Sequence, residues 1–466
     1  MLTLSSCLTD EDFTTSPNHP LTFSIDSLDF DTLISGDLSH TQTFQVYNKN
    51  DKALRIKQIS LLNGKNSIFR VNVDGTSLSE DLVGDFELRA GDSLRIFVNA
   101  LPPLTDQDFP ILHTDKLLFQ LESGKYHELP LKIYGWDVIK LKGLNINDDT
   151  SFNATRPYNI LDSLVVLPKA ELTIHPGTQL LFHANSKLIV YGRLKVLGDI
   201  DANVVFRGDR LGNMFTNQSY DCIPGQWGGI EIKSQSYGNL FDYADIHSGN
   251  LGIVCDSSDV TIEKVRIENC IIHNTTYDAL SLNNVSAVIG NSQITNSGGN
   301  CISIKGGDVQ IIHSTIGQFY AFEATRGVAL HFSSNAHYPL HRLEVFNSIV
   351  TGYSSDEIMG VKESEESSFN YKFQNCLLNT PPYESPEIIN CFWDNSDYPV
   401  SRADNFYPEF DLDKLIFNFY LSPQSQAVGN ADASITASTY PKDRVGVIRS
   451  ERPSIGCYEY VAPLGE

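Results

Sequence analysis

Four side chains could do chemistry together if the chain repeats as its spacing predicts: His247, His273, Asp245 and Asp278. The phrases Tyr243-Ala-Asp-Ile-His-Ser and Asn269-Cys-Ile-Ile-His-Asn put His247 and His273 at the same place, so a repeating fold stacks one above the other on an outer face. Asp242 lies close by, and Lys264 and Arg266 sit on the connecting stretch. Imidazole and carboxylate within hydrogen-bond reach supply either a general acid and base or ligands for a metal ion. The plainer reading is a polar ladder of outward side chains, continued by Thr295 and Thr351. That reading is preferred, so catalytic residues stay unassigned and no residue set is assigned to a metal.

A second group is aromatic. Between His313 and Asn347 the chain inserts Phe319, Tyr320, Phe322, Phe332 and Tyr338, with His337 and His341. Rings exposed beside a flat β-face hold sugars by stacking on the apolar face of a pyranose while polar neighbours bond its hydroxyls. On that reading Phe319, Tyr320, Tyr338 and His341 bind a ligand, and the Tyr320 and Tyr338 rings stand exposed near a common plane. The alternative is a loop folded back to bury its aromatics as a satellite core. Both readings stand.

The elements that must position these groups are written in a repeat. After the two phrases above come Asn291-Ser-Gln-Ile-Thr-Asn, His313-Ser-Thr-Ile-Gly-Gln, Asn347-Ser-Ile-Val-Thr-Gly and Asn375-Cys-Leu-Leu-Asn-Thr, at steps of 26, 22, 22, 34 and 28 residues from Tyr243 onward. Short alternating strands at a period in the low twenties, without helical periodicity between them, predict a solenoid. The physical form is a right-handed parallel β-helix, of the pectate-lyase kind, whose coils stack ~4.8 Å apart with Ile on Ile inside. Asn at the heads of phrases suits a left-handed turn and can bond up the stack as a ladder. In this register Ile294 points inward and is inaccessible. Cys270 and Cys376 share one repeat position and read as small, reduced core residues.

Composition bounds the rest. The 466 residues exceed one ordinary core and suggest two or three domains. A net charge of -23 argues against nucleic acid as a partner, which needs a basic face. Eight cysteines without a CxxC or a Cys/His cluster offer neither a disulfide scaffold nor a zinc finger. Apolar runs have strand length, too short for a membrane-spanning helix.

The domains read as follows: 1–20, a lipoprotein signal remnant and tether; 21–137, an antiparallel β-sandwich of about seven strands; 138–163, a linker; 164–400, the β-helix; and 401–466, a closing coil and cap. Leu4-Ser-Ser-Cys7 fits a lipobox, with Cys7 as the lipid acceptor and an acidic stretch after it. These first residues resemble the export signals of Gram-negative surface lipoproteins. Leu28-Asp-Phe-Asp, Tyr47-Asn-Lys-Asn, Arg89-Ala-Gly-Asp-Ser-Leu and Leu131-Lys-Ile-Tyr-Gly resemble the Ig-like domains called choice-of-anchor D or ASPM/SPD-2/Hydin-like. Leu172-Thr-Ile-His-Pro-Gly-Thr, Leu188-Ile-Val-Tyr-Gly-Arg-Leu and Pro224-Gly-Gln-Trp-Gly-Gly-Ile resemble the opening coils of β-helix surface lipoproteins. Tyr420-Leu-Ser-Pro-Gln-Ser, Asp443-Arg-Val-Gly446 and Ile455-Gly-Cys-Tyr-Glu resemble the choice-of-anchor Q segment that closes many such helices.

These resemblances imply an outer-membrane, lipid-anchored, monomeric cell-surface protein, non-catalytic, offering a β-helix face to a polysaccharide or another surface protein. The alternative is a polysaccharide lyase or epimerase acting on acidic glycans, and only with that reading does Ca²⁺ enter as a cofactor. The aspartate and histidine phrases of polygalacturonase-like hydrolases are not found together, and the lyases' Trp-Ile-Asp-His is absent.

Overall fold

The computed structural model describes residues 13–78, 84–215, 218–394, 405–406, 410–411 and 415–462. Cys7, the expected lipid acceptor, lies outside them. The chain divides into two compact units, Met1–Val138 and Ile139–Glu466.

The first unit forms two five-stranded sheets. Strands Gln42–Tyr47, Leu54–Leu61, Phe69–Val73 and Ser93–Ala100 alternate in burial along their length, as one-sided strands must. Val46, Ile56, Ile96, Val98 and Phe119 from the two sheets meet in one core. Among the described residues pairing is antiparallel except where Leu131–Trp136 runs parallel to Leu28–Ile34 and at the isolated parallel bridge of Phe13 with Ala53. The architecture is the expected antiparallel sandwich, with ten strands among the described residues rather than about seven, the additional ones including the two-residue edge strands Thr22–Phe23 and Thr76–Ser77.

The second unit is a parallel β-helix of three sheets. Among the described residues sheet 1 has 11 strands, sheet 2 has 9 and sheet 3 has 10, and the coils visit them in that order until the last, which passes from Leu377–Leu378 directly to the sheet 3 strand Ile388–Ile389. The inward column of sheet 1 runs Ile246, Ile272, Ile294, Ile316, Val350, Leu378, each residue paired in register with the next. Ile294 is 0% exposed, so the register read from the phrases is the register of the fold. Every phrase head sits at the corner from sheet 3 to sheet 1 with positive φ: Tyr243, Asn269, Asn291, His313, Asn347 and Asn375 all lie between 46° and 54°. Asn side chains tolerate that conformation because they bond locally. Asn291 donates to Asn269 at 2.7 Å and Asn269 donates to Asp242 at 2.8 Å, giving the expected ladder. The next residue of each phrase makes a second column, with Cys270 N–H donating to Ser292 and Ser314 N–H to Ser348.

One boundary differs from expectation. Residues 138–163 are not a linker. Ile139–Leu141, Asn145–Ile146 and Thr150–Phe152 pair with Tyr158–Ile160, Leu164–Val166 and Glu171–Ile174, making a first coil. Strands of two or three residues leave too little alternation to be seen in sequence. The closing segment also reaches well beyond the last coil. It descends the sheet 3 to sheet 1 corner, with Asn430 carbonyl on Asn375, Asp432 on Asn347, Thr436 on His313, Lys442 carbonyl on Asn291 and Arg444 on Asn203. It then returns, placing Arg449 on Asn291 and Tyr458 on Gln293.

Candidate functional site

Strands Ala244–His247 and Ile271–Thr275 alternate, so with Ile246 and Ile272 inward the histidines turn outward. They pair in register, with ring centroids 4.9 Å apart. The column continues through Thr295, Gly317 and Thr351, so the ladder read from sequence is present. What sequence does not show is its cover. The insertion at 207–226 folds over this face as a short hairpin, Asn213–Phe215 with Gln218–Ser219, followed by the 3₁₀ turn Tyr220–Cys222. Ser219 caps that turn by accepting from the Asp221 N–H, and Trp227, stacked on Phe182 inside the coil, donates its indole N–H to the His247 carbonyl. His247 is thereby only 5% exposed.

The enclosed groups form a chain of charges. Arg207 lies 2.7 Å from Asp221, Asp221 is 3.3 Å from His247 Nε2, His247 Nδ1 is 2.9 Å from Asp245, and Asp245 is 3.3 Å from His273 Nε2. Burial lowers the His247 pKa, but Asp245 and Asp221 outweigh it and raise the value to about 9. Asp245 is opposed by burial and still held well below the usual carboxylate range by both histidines. Asp221 falls too, because His247 and Arg207 together overcome its desolvation. With both ring nitrogens donating to carboxylates, His247 is an imidazolium holding the insertion against the stack. Asp245, His247 and His273 also bring one ligand atom each within 4.8 Å of one another, the one such group among the described residues.

The other predicted members are elsewhere. Asp278 lies outside the group, accepting from the Asn300 N–H at 2.8 Å, and burial raises its pKa. Asp242 belongs to the asparagine ladder. Lys264 and Arg266 lie on the sheet 3 strand Glu263–Glu268, where Arg266 pairs with Glu263 and Glu268. Lys264 is buried, donating to the carbonyls of Lys233, Ser234 and Ser236, and desolvation lowers its pKa.

The aromatic platform is overturned. Phe319 is fully buried and Tyr320 is 4% exposed. Phe319 packs against Tyr353, Phe417 and Phe419 in a satellite core built with the closing segment. Tyr338 is half-buried under the Lys305 ammonium, and His341 is exposed without joining either tyrosine in a common face. Phe319 is buried because chain about a hundred residues later covers it, and Tyr320 lies against Phe322 and the Gly298 backbone.

A different corner is open. Where sheet 2 passes to sheet 3, the same turn of four successive coils lines a groove of ≈ 370 Å³ with Asp149, Lys169, Tyr191, Arg193, Gln235 and Tyr237. Tyr191 and Tyr237 are half-buried, and Lys169, Arg193 and Gln235 are exposed. Tyr237 is fixed twice, its hydroxyl accepting from the Asp259 N–H and its ring lying 5.3 Å from the Lys264 ammonium. Glu171 at the groove's edge pairs with Arg193 and Lys195.

No family model matches the chain, and no curated protein matches it. Among solved structures, a family 123 glycoside hydrolase from Clostridium perfringens aligns at 7% identity over 25% of this chain and 26% of that one, TM-score 0.19. The ASH/PapD-like domain of human CEP192 aligns at 14% identity over 29% and 95%, TM-score 0.17. The Vibrio cholerae VesB protease aligns at 13% identity over 25% and 31%, TM-score 0.17. The chain thus spans about a quarter of the hydrolase and about a third of the protease. At such TM-scores none of these likenesses assigns a fold or an activity.

The groove residues went unnoticed in sequence because the 207–226 insertion separates Tyr191 from Tyr237, hiding that they occupy neighbouring turns. The available signal was the Tyr that follows the strand phrase Leu188-Ile-Val, one position before the coil corner.

Proposed function

We propose that the protein is a non-catalytic surface protein that binds a glycan chain along the groove between sheets 2 and 3. The observation that supports this is the alignment of Lys169, Tyr191, Arg193, Gln235 and Tyr237 on the same turn of successive coils. Coils ~4.8 Å apart present a repeating row to a repeating ligand. Tyrosine rings meet the apolar faces of sugars, and the lysine, arginine and glutamine side chains meet hydroxyls and carboxylates. The ligand class that fits is an extended polysaccharide with some acidic units.

The enzyme alternative gains nothing from the protonated groups as they stand. A general base needs a free lone pair, and His247 has both nitrogens occupied by carboxylates while Lys264 is enclosed by three carbonyls. The lipobox-like Leu4-Ser-Ser-Cys7 supports a lipid anchor at Cys7 and an outer-membrane location of the Gram-negative kind. The sandwich fits a choice-of-anchor D spacer, and the closing segment fits the choice-of-anchor Q pattern.

A glycan array followed by titration of the strongest binder tests the binding reading. Tyr191→Ala should weaken that binder about five- to tenfold, a contact of roughly 1 kcal/mol or somewhat more, with unchanged melting. An array with no binder, or a variant binding like the parent, refutes the groove. Release of unsaturated glycan ends would instead favour the lyase. Mass spectrometry of the mature amino terminus tests the anchor, and an unmodified Cys7 in membrane-extracted protein refutes it.

A further inference from the structure

The Asp245–His247–His273 group carries an inference separate from the glycan groove. We propose that it binds one divalent first-row transition-metal ion of the zinc class, with Asp221 as the outer partner that orients His247. Two imidazole nitrogens and one carboxylate oxygen suit zinc and its neighbours, whereas calcium and magnesium call for oxygen ligands throughout. The spacing fits. Asp245 Oδ1 stands 2.9 Å from His247 Nδ1 and 3.3 Å from His273 Nε2. A tetrahedral shell with bonds of ~2.1 Å has edges of roughly 3.4 Å, near both of these; the third edge, between the two histidines, lies within 4.8 Å, so the rings draw together for an ion to touch all three.

The surroundings complete the case. A metal-bound histidine almost always donates its other ring N–H to a carboxylate or carbonyl, which sets its tautomer and orientation. His247 Nε2 already does so to Asp221, which Arg207 in turn anchors. The three ligands lie on two consecutive coils and Asp221 on the insertion, with first and second layers in place. His273 is half-buried and lies at the solvent side of the cluster, which leaves an approach for the ion and a position for water or ligand. Binding replaces the His247–Asp245 hydrogen bond by two metal bonds, and the proton of His247 Nδ1 leaves to solvent. The ion then ties two coils to the insertion through Asp221.

The full chain, stripped with chelator and dialysed, is titrated with zinc by calorimetry, and cobalt(II) is added separately to read ligand-field absorption. One equivalent is expected to bind, with visible cobalt bands. His273→Gln should weaken zinc at least tenfold and abolish the bands while keeping the parent's melting profile in chelator. Asp245→Asn should weaken zinc similarly, and His341→Gln, at an exposed histidine elsewhere, should change nothing. No saturable binding overturns the proposal. So does binding that His273→Gln and Asp245→Asn both leave intact, because the metal would then sit elsewhere. Loss of glycan binding without loss of zinc, or the reverse, keeps this test distinct from that of the groove.

Discussion

The two corners of the β-helix that flank sheet 3 are built by the same device and meet opposite fates, one covered and one open. At the corner into sheet 1, repeated Asn and His heads present donors and acceptors in a column, and the chain's own closing segment takes them up. At the corner into sheet 3, repeated turns present tyrosine, arginine and glutamine in a column, and nothing among the described residues covers it. A solenoid repeats chemistry as readily as it repeats backbone. Whether a repeated column becomes structure or binding surface depends on whether another segment is shaped to pair with it.

The sharpest way to break that contrast is to remove one arginine from each corner. Arg449 is fully buried between Glu459, Asn291 and the Ser454 and Gly456 carbonyls. Arg449→Ala leaves Glu459 buried without its cation and should cost about 3–5 kcal/mol in chemical denaturation. Arg193→Ala, at an exposed pair, should stay within about 0.5 kcal/mol. Equal costs would show that the covered corner is not the structural one.

The third corner, from sheet 1 to sheet 2, supplies a pH test. Glu357 is buried there and accepts from the N–H groups of Ala329 and Ser354, yet burial lifts its pKa to about 7 from 4.5. A carboxyl raised on folding stabilises the fold fully below its unfolded value and loses that contribution as pH rises through its folded one. Stability should therefore fall by about 3 kcal/mol between pH 4.5 and 7 and then level off, as read from denaturant midpoints. Glu357→Gln should flatten that slope; a slope unchanged in the variant assigns the titration to another group.

Lys264 links core to groove. Lys264→Met removes the ammonium from three carbonyls of the 233–238 turn, of which that of Lys233 keeps the Ser236 N–H, at about 1–3 kcal/mol. It should also weaken glycan binding, because that turn carries Gln235 and Tyr237. A variant that melts lower but binds like the parent would separate turn from groove. The smallest effect is Tyr191→Ala, felt in binding and hardly in melting.

Much of this was legible in the chain. The phrases gave the stack, the inward isoleucines gave the register, and the asparagine heads gave the left-handed corners. His247 and His273 were correctly paired because strands keep their period of two. The misses share one cause, which is contact between segments far apart in sequence. Asp221 reaches His247 only because an insertion folds back, and Phe419 buries Phe319 only because the closing segment returns. Tyr191 and Tyr237 become neighbours only after the insertion between them is looped out. Asp278 is near the histidines along the chain, but a corner separates it from the strands that carry them.

The returning segment also changes how the stack comes apart. Coils that touch only their neighbours fray singly, from whichever end is weaker. A segment bonded to Asn375, Asn347, His313, Asn291 and Asn203 makes those coils share one opening event, since releasing any of them strains the bonds to the rest. It is synthesised after the coils it fastens, so the stack is complete as an array before it becomes a cooperative unit. Amide exchange along the Ile272–Ile294–Ile316 column should accordingly show a single common opening energy in the full chain, and a gradient along the axis once the segment is detached.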